Sequence, residues 1–135
     1  MSRWLAVIAG PFDLLAVSAD SDPTRAWKGV TLSKAVAGDL LPRIGIDAQG
    51  VYVCSEGGNQ DAICFAIPQS DLQWTGAGVP SLAHMATFAA LPFETMPAID
   101  LNAGKSSSSP EILLARSGPQ VGTNVPVNLL MTQIH

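Results

Sequence analysis

The sequence has little charge. Only 13% of its 135 residues are Asp, Glu, Lys or Arg, against about 25% in an average soluble protein. Surfaces that are buried between subunits are depleted in charge, whereas the surfaces of soluble monomers are rich in it. The composition therefore favours a subunit of an assembly over an isolated monomer, with copies of itself or a larger structural protein as the expected partner.

Basic residues and long apolar runs are scarce too. The seven Lys and Arg residues are scattered singly, against eleven Asp and Glu residues, and the formal net charge is −4. Without a basic stripe to neutralise phosphates, we expect no nucleic-acid partner. No apolar run approaches the ~20 residues that a membrane-spanning helix needs, so we expect no membrane contact either.

Motifs for catalysis and cofactor binding are also absent from the sequence. Gly104-Lys105-Ser106 lacks the earlier glycine of a phosphate-binding loop, because that position holds Ile99. No G-x-S-x-G nucleophile elbow occurs. We therefore predict that the protein is not an enzyme and binds no cofactor.

The soft metal ligands in the sequence are few and far apart. They are Cys54, Cys64, His84 and His135. No two of them have the short spacing that zinc motifs use. We therefore expect no metal site.

The N-terminal segment and the two cysteines bear on the cellular location of the protein. Residues 1–20 resemble a secretory signal peptide, but Pro11 and Asp13 interrupt the apolar run, so we interpret the segment as mature structure. The expected location is then the virion if the protein is viral, and otherwise the reducing cytoplasm, where Cys54 and Cys64 would be free thiols. The alternative is a secreted domain in which these two cysteines form a disulfide.

The most informative stretch that is present is residues 51–67, which predicts a β-hairpin. Alternation places Val53 opposite Phe65 and Cys54 opposite Cys64, with Gly57 in the turn. One face is then an apolar core face, and the two cysteines are neighbours on the other face, close enough for a disulfide. Together with the preceding strand, residues 43–67 predict a three-stranded meander.

The rest of the chain reads as short strands separated by turns. Further strands are predicted at 3–9, 13–19, 29–37, 111–116 and 125–134. One short helix is predicted at 81–91, because Ser81 can cap it and Pro92 ends it. We expect a single mainly-β domain over 1–135, an antiparallel sandwich or barrel built around the meander.

Both ends of the chain are unusually apolar. In the first strand both alternating sets of side chains are apolar, which predicts that both faces are covered, either by the domain itself or by a neighbour. No charged residue follows Arg116, so the last strand also needs a cover. Tryptophan is common at subunit contacts. The candidate interface residues are Trp4, Trp27, Trp74, Leu129, Leu130, Met131 and Ile134.

These observations lead to two hypotheses for the function. The first is a structural, non-enzymatic assembly subunit, with the virion as its setting, either as a capsid decoration (cement) protein or as a head–tail component; this setting is an analogy of fold and composition. The alternative is a small cytosolic enzyme or ligand-binding β-barrel, in which an interior pocket presents His84 or Cys64 as the reactive group.

Overall fold

The computed structural model describes residues 3–10, 12–34, 42–56, 61–74, 77–92, 94–97, 111–117 and 128–134. This part of the chain is mainly β, with antiparallel sheets and no helix. The strands are β1 (Leu5–Ile8), β2 (Phe12–Ser18), β3 (Trp27–Lys34), β4 (Arg43–Ile46), β5 (Gly50–Glu56), β6 (Ala62–Pro68), β7 (Ala86–Leu91), β8 (Met96–Pro97), β9 (Glu111–Ser117) and β10 (Asn128–Ile134).

The strands form three sheets. The N-terminal sheet has the order β1-β2-β3, the central sheet β4-β5-β6-β7, and the C-terminal sheet β10-β9-β8. The strands predicted near both ends of the chain are confirmed as β1, β2, β3, β9 and β10. The turn predicted at Gly57 and the Ser-rich segment around Lys105 lie outside the described residues, as does His135.

The meander at 43–67 is confirmed as β4, β5 and β6. In β5 and β6, Val53 pairs with Phe65 and Cys54 pairs with Cys64, which is the predicted register. The register follows from the alternation, because a slip of one residue would move every apolar side chain to the wrong face.

The turn between β4 and β5 is held by Asp47. Its Oδ1 accepts hydrogen bonds from the backbone N–H groups of Gln49 (2.7 Å) and Gly50 (2.9 Å). Its Oδ2 accepts the hydroxyl hydrogen of Tyr52 at 3.1 Å. An aspartate at this position satisfies turn donors that would otherwise be left without a partner.

The main core lies between the N-terminal and central sheets. Leu15, Val17 and Leu32 face one way, and Val51, Val53, Phe65 and Ile67 face them; all belong to one buried cluster. The contact between two apolar sheet faces is that of a β-sandwich, as expected.

Part of the other face of the central sheet is buried as well, around a disulfide between Cys54 and Cys64. Leu113 of the C-terminal sheet packs on this bridge, with Phe88 and Leu91 of β7 beside it. The expectation of free thiols is therefore wrong. The predicted register had already placed the two cysteines opposite each other; compartment reasoning, which gave the opposite answer, carries no information about geometry.

The predicted helix at 81–91 is also wrong. Residues 86–91 form β7, which pairs with β6 through Ala86 opposite Ala66 and Phe88 opposite Cys64. The apolar positions Leu82 and Met85 do pack against the core, but from a turn closed by a hydrogen bond from the Met85 N–H to the Leu82 carbonyl. Pairing with a buried strand overrides the weak helix preference of an alanine-rich segment.

Candidate functional site: an apolar sheet face and a histidine cleft

One face of the N-terminal sheet packs on the core, and the opposite face, called here the outer face, does not. Residues that pair directly across antiparallel strands share a face. Ala16 pairs with Ala6 and Gly29, Leu14 with Ile8 and Thr31, and Ser18 with Trp27. Trp4 continues the same row, since its carbonyl accepts the Ser18 N–H at 2.9 Å. The outer face therefore consists of Trp4, Ala6, Ile8, Leu14, Ala16, Ser18, Trp27, Gly29 and Thr31.

The outer face is apolar and carries no charge at any of these positions. Three of its four large apolar side chains are exposed, Ile8 by 54%, Trp4 by 52% and Trp27 by 36%, and the fourth, Leu14, is half-buried. The prediction that β1 needs a cover on both faces is thus confirmed for one face, where Leu5 and Val7 pack on the core. On the other face Trp4, Ile8 and Trp27 stay exposed, whereas Ser18 is buried.

Hydrogen bonds hold the two tryptophans of the outer face in place. The Trp4 indole N–H donates to the Ser21 carbonyl at 2.8 Å, and the Trp27 indole N–H donates to the Pro23 carbonyl at 2.9 Å. Both acceptors lie in the β2–β3 loop, which has its own side-chain bonds, such as the Thr24 hydroxyl to Asp22 Oδ1 at 2.7 Å. The aromatic rings are therefore presented in fixed orientations, which lowers the entropy cost of binding.

The other candidate interface residues are placed differently. Trp74 is half-buried against the core, and the Arg3 guanidinium lies 4.2 Å from its ring centroid. The remaining four, Leu129, Leu130, Met131 and Ile134, lie on β10, but their side chains are outside the described part of the structure. Their role at an interface stays a prediction.

A cleft of about 200 Å³ lies on the other side of the molecule, on the disulfide-bearing face of the central sheet. Its floor is low because Ala66 of β6 pairs directly with Ala86 of β7. Larger residues, Tyr52, Pro68 and Phe88, stand around these two alanines, and His84 forms part of the rim. Small residues paired between large ones thus produce the depression.

His84 is fixed by Asp71, a residue that sequence reasoning missed. The nearly buried Asp71 carboxylate accepts a bond from the His84 backbone N–H and lies 2.8 Å from ring Nδ1, while the ring is largely exposed. These two bonds, the ring bond foremost, hold the pKa of the Asp71 carboxyl below its ordinary value of 3.8. An ionised carboxylate only accepts, so Nδ1 carries the hydrogen and Nε2 of the neutral ring is an acceptor.

The structure removes one of the two reactive groups that the alternative hypothesis offered and leaves the other, His84, at the cleft with the Asp71 carboxylate beside its ring. The Cys64 sulfur is in the disulfide, so Cys64 is not the reactive thiol that this hypothesis offered. The cleft beside His84 is an open depression on the sheet and not an interior pocket.

A buried carboxylate between the sheets also escaped sequence reasoning. Asp13 is buried, and its Oδ2 accepts the Ser55 hydroxyl hydrogen at 2.6 Å. The two residues are 42 positions apart, and no local pattern signals the contact.

The described part of the chain contains no cluster of three or more His, Cys, Asp or Glu side chains that could hold a metal ion. It also contains no helix of the length and apolarity needed to cross a membrane.

Protein-family models, curated protein sequences and solved structures give no match to this chain.

Proposed function

We propose that the chain is a structural, non-enzymatic assembly subunit whose outer face is buried against copies of itself. The observation that carries the proposal is the exposed, charge-free outer face with Trp4, Ile8 and Trp27 on it. A contiguous exposed apolar surface marks an interaction site, since a soluble monomer gains nothing from keeping it in water.

The chemistry of the outer face suits contact with a second copy. In a two-fold interface the same patch meets itself, so any charge in the patch would face a like charge nearby. The outer face has none. Two such faces pack as sheets about 10 Å apart, with aromatic and branched side chains interdigitating.

The size of the outer face sets the expected affinity. It spans three strands about 4.8 Å apart and only a few residues along each strand, which places it at the small end of specific interfaces. We therefore expect a single contact to dissociate in the micromolar range, with stability in a particle coming from many contacts at once.

A virion is the setting that we propose for this assembly, with the chain as a capsid decoration (cement) or head–tail protein beside a capsid protein. The setting is an analogy of fold and composition. The Cys54–Cys64 disulfide argues against the cytosol, where disulfides are reduced; it fits a virion surface and a secreted domain equally, because disulfides persist in both.

Sedimentation velocity over loading concentrations from about 1 µM to several hundred µM tests the proposal. The unmodified chain should shift from monomer to larger species across this range. Ile8→Lys should remain monomeric, because it places an ammonium group within the apolar contact.

Val79→Lys is the matched control for this substitution. Val79 is 55% exposed, close to the 54% of Ile8, and it lies outside the outer face. It adds the same charge, so it should associate like the unmodified chain. A chain that stays monomeric at all concentrations, or equal loss of association in both variants, would contradict the proposal.

A further inference from the structure

The cleft on the central sheet has the features of a ligand site. It combines an apolar floor, Ala66 and Ala86, and apolar walls, Pro68 and Phe88, with three residues that carry polar groups, Gln49, Tyr52 and His84. Small-molecule sites typically have this composition: mostly apolar lining and a few fixed polar groups that set orientation. The cleft lies on a different sheet from the outer face, so it does not depend on the proposed assembly.

We propose that the cleft binds a planar aromatic ring that carries a hydrogen-bond donor, a phenol or an indole. The ring lies on the floor formed by Ala66 and Ala86, and its O–H or N–H donates to Nε2 of His84.

The volume of the cleft fits one ring system. About 200 Å³ is more than the roughly 150 Å³ of an apolar cavity that accommodates benzene, and less than the 300 Å³ at which sites for drug-sized ligands begin. The floor also favours a flat ligand, because two paired alanines on adjacent strands present a level surface between taller side chains. Phe88 and Tyr52 offer aromatic contacts at its edges.

The hydrogen-bond preference follows from Asp71. Its carboxylate accepts a hydrogen bond from Nδ1–H of His84 at 2.8 Å, which fixes the tautomer of the neutral ring and leaves Nε2 of that ring as an acceptor. Within the described residues, no group donates to Nε2. A ligand that donates a hydrogen bond is therefore preferred over one of the same shape that only accepts.

Phenol and anisole test this preference, because the two share a ring and only phenol can donate. In an ¹H–¹⁵N NMR titration of the intact chain, we expect saturable shifts at the Ala66, Ala86 and Phe88 amides, at about millimolar ligand. Phenol should bind roughly 3- to 10-fold tighter than anisole, the ratio expected for one hydrogen bond.

His84→Asn isolates the contribution of Nε2. The asparagine amide nitrogen reaches the position of Nδ1, so it keeps the bond to Asp71 and removes Nε2. In this variant phenol and anisole should bind equally. A phenol-to-anisole ratio that is unchanged from the unmodified chain would overturn the proposed role of His84.

Ala86→Leu tests the floor of the cleft, with Ala89→Leu as its control on the same strand. The first fills the cleft and should abolish the saturable shifts; the second does not line the cleft and should leave binding unchanged. Absence of saturable shifts in the unmodified chain, or equal binding in both variants, would overturn the site.

The ring could belong to a tyrosine side chain of another protein or to a free small molecule. A third probe, N-acetyl-tyrosinamide, distinguishes these two sources. Saturable binding of both phenol and this probe supports a tyrosine side chain of another protein as the occupant. Binding of phenol alone supports a free small molecule.

Discussion

At Gly50, the first residue of β5, the chain has no room for a side chain. A Cβ there would overlap the carbonyl oxygen of Ile67 and lie 3.0 Å from its carbonyl carbon, and both are backbone atoms that cannot turn aside. Gly50→Ala should therefore lower the free energy of unfolding by roughly 1–3 kcal/mol, the usual cost of forced overpacking. Urea unfolding monitored by circular dichroism measures it.

Gly29→Ala is the comparison for this substitution. A Cβ at Gly29 first meets the end of the Leu14 side chain, at 3.1 Å, and that side chain can rotate. Its effect should stay within about 1 kcal/mol, since alanine also stiffens the unfolded chain. Equal losses in the two variants would show that the backbone contact at Gly50 is not the cause.

Asp71 should make the free energy of unfolding depend on pH in the acidic range. Its pKa is lower in the folded chain than the ordinary 3.8, because the His84 ring and backbone donate to it. The stabilisation is therefore complete above about pH 4 and is lost as the pH falls through the folded-state pKa. In Asp71→Asn this contribution is absent at every pH.

The urea midpoints of the two proteins, measured from about pH 6 to about pH 2, test this dependence. The difference between the unmodified chain and Asp71→Asn should narrow as the pH decreases below 3.8. Asp22, whose pKa is also lowered, chiefly by the Thr24 hydroxyl, contributes equally to both proteins and cancels. A constant difference would mean that the Asp71 charge does not stabilise the fold.

Among the elements, the β5–β6 hairpin is stabilised by a covalent link, the Cys54–Cys64 disulfide. The disulfide joins residues 10 positions apart, so chain entropy alone predicts that it stabilises the fold by about 2–3 kcal/mol. Cys54→Ala combined with Cys64→Ala should lose about this much in urea unfolding, and reductant should then have no further effect.

Thiol titration of the unmodified chain, denatured without reductant, checks the link directly. We expect no free thiols before reduction and two afterwards. Because both cysteines are almost completely buried, native protein should resist mild reductants longer than denatured protein does. Two free thiols before reduction would contradict the disulfide and remove its support for an oxidising setting.

The elements also show how far the sequence could be used for prediction. The β5–β6 register was predictable because its alternation and its pairing are both local. The strand β7 was not, because its conformation depends on pairing with β6, and alanine-rich residues fit a helix equally well when considered alone.

Of the two candidate sites, one was likewise predictable from the sequence and the other was not. The exposed face of β1 was predictable, since both alternating sets of its side chains are apolar. The cleft was not predictable, because Ala66, Ala86, His84 and Asp71 come together only through strand pairing and a turn. Contacts of this kind carry no sequence signal when each residue is common and its partner is distant.

For the whole molecule, charge and the outer face act in opposite directions on association. Copies of a chain with a net charge of −4 repel one another, while the uncharged outer face attracts through apolar burial alone. At 0.1 M salt, repulsion between charges more than about 10 Å apart is largely screened, whereas the burial of apolar surface is unaffected. Association of the unmodified chain should therefore strengthen with ionic strength, and as the pH falls from 7 towards the isoelectric point near 4.8. Sedimentation velocity at low and high salt measures this change, and Ile8→Lys should remain monomeric throughout. Dissociation on adding salt would instead show that opposite charges hold the copies together, and the outer face would then not be the contact.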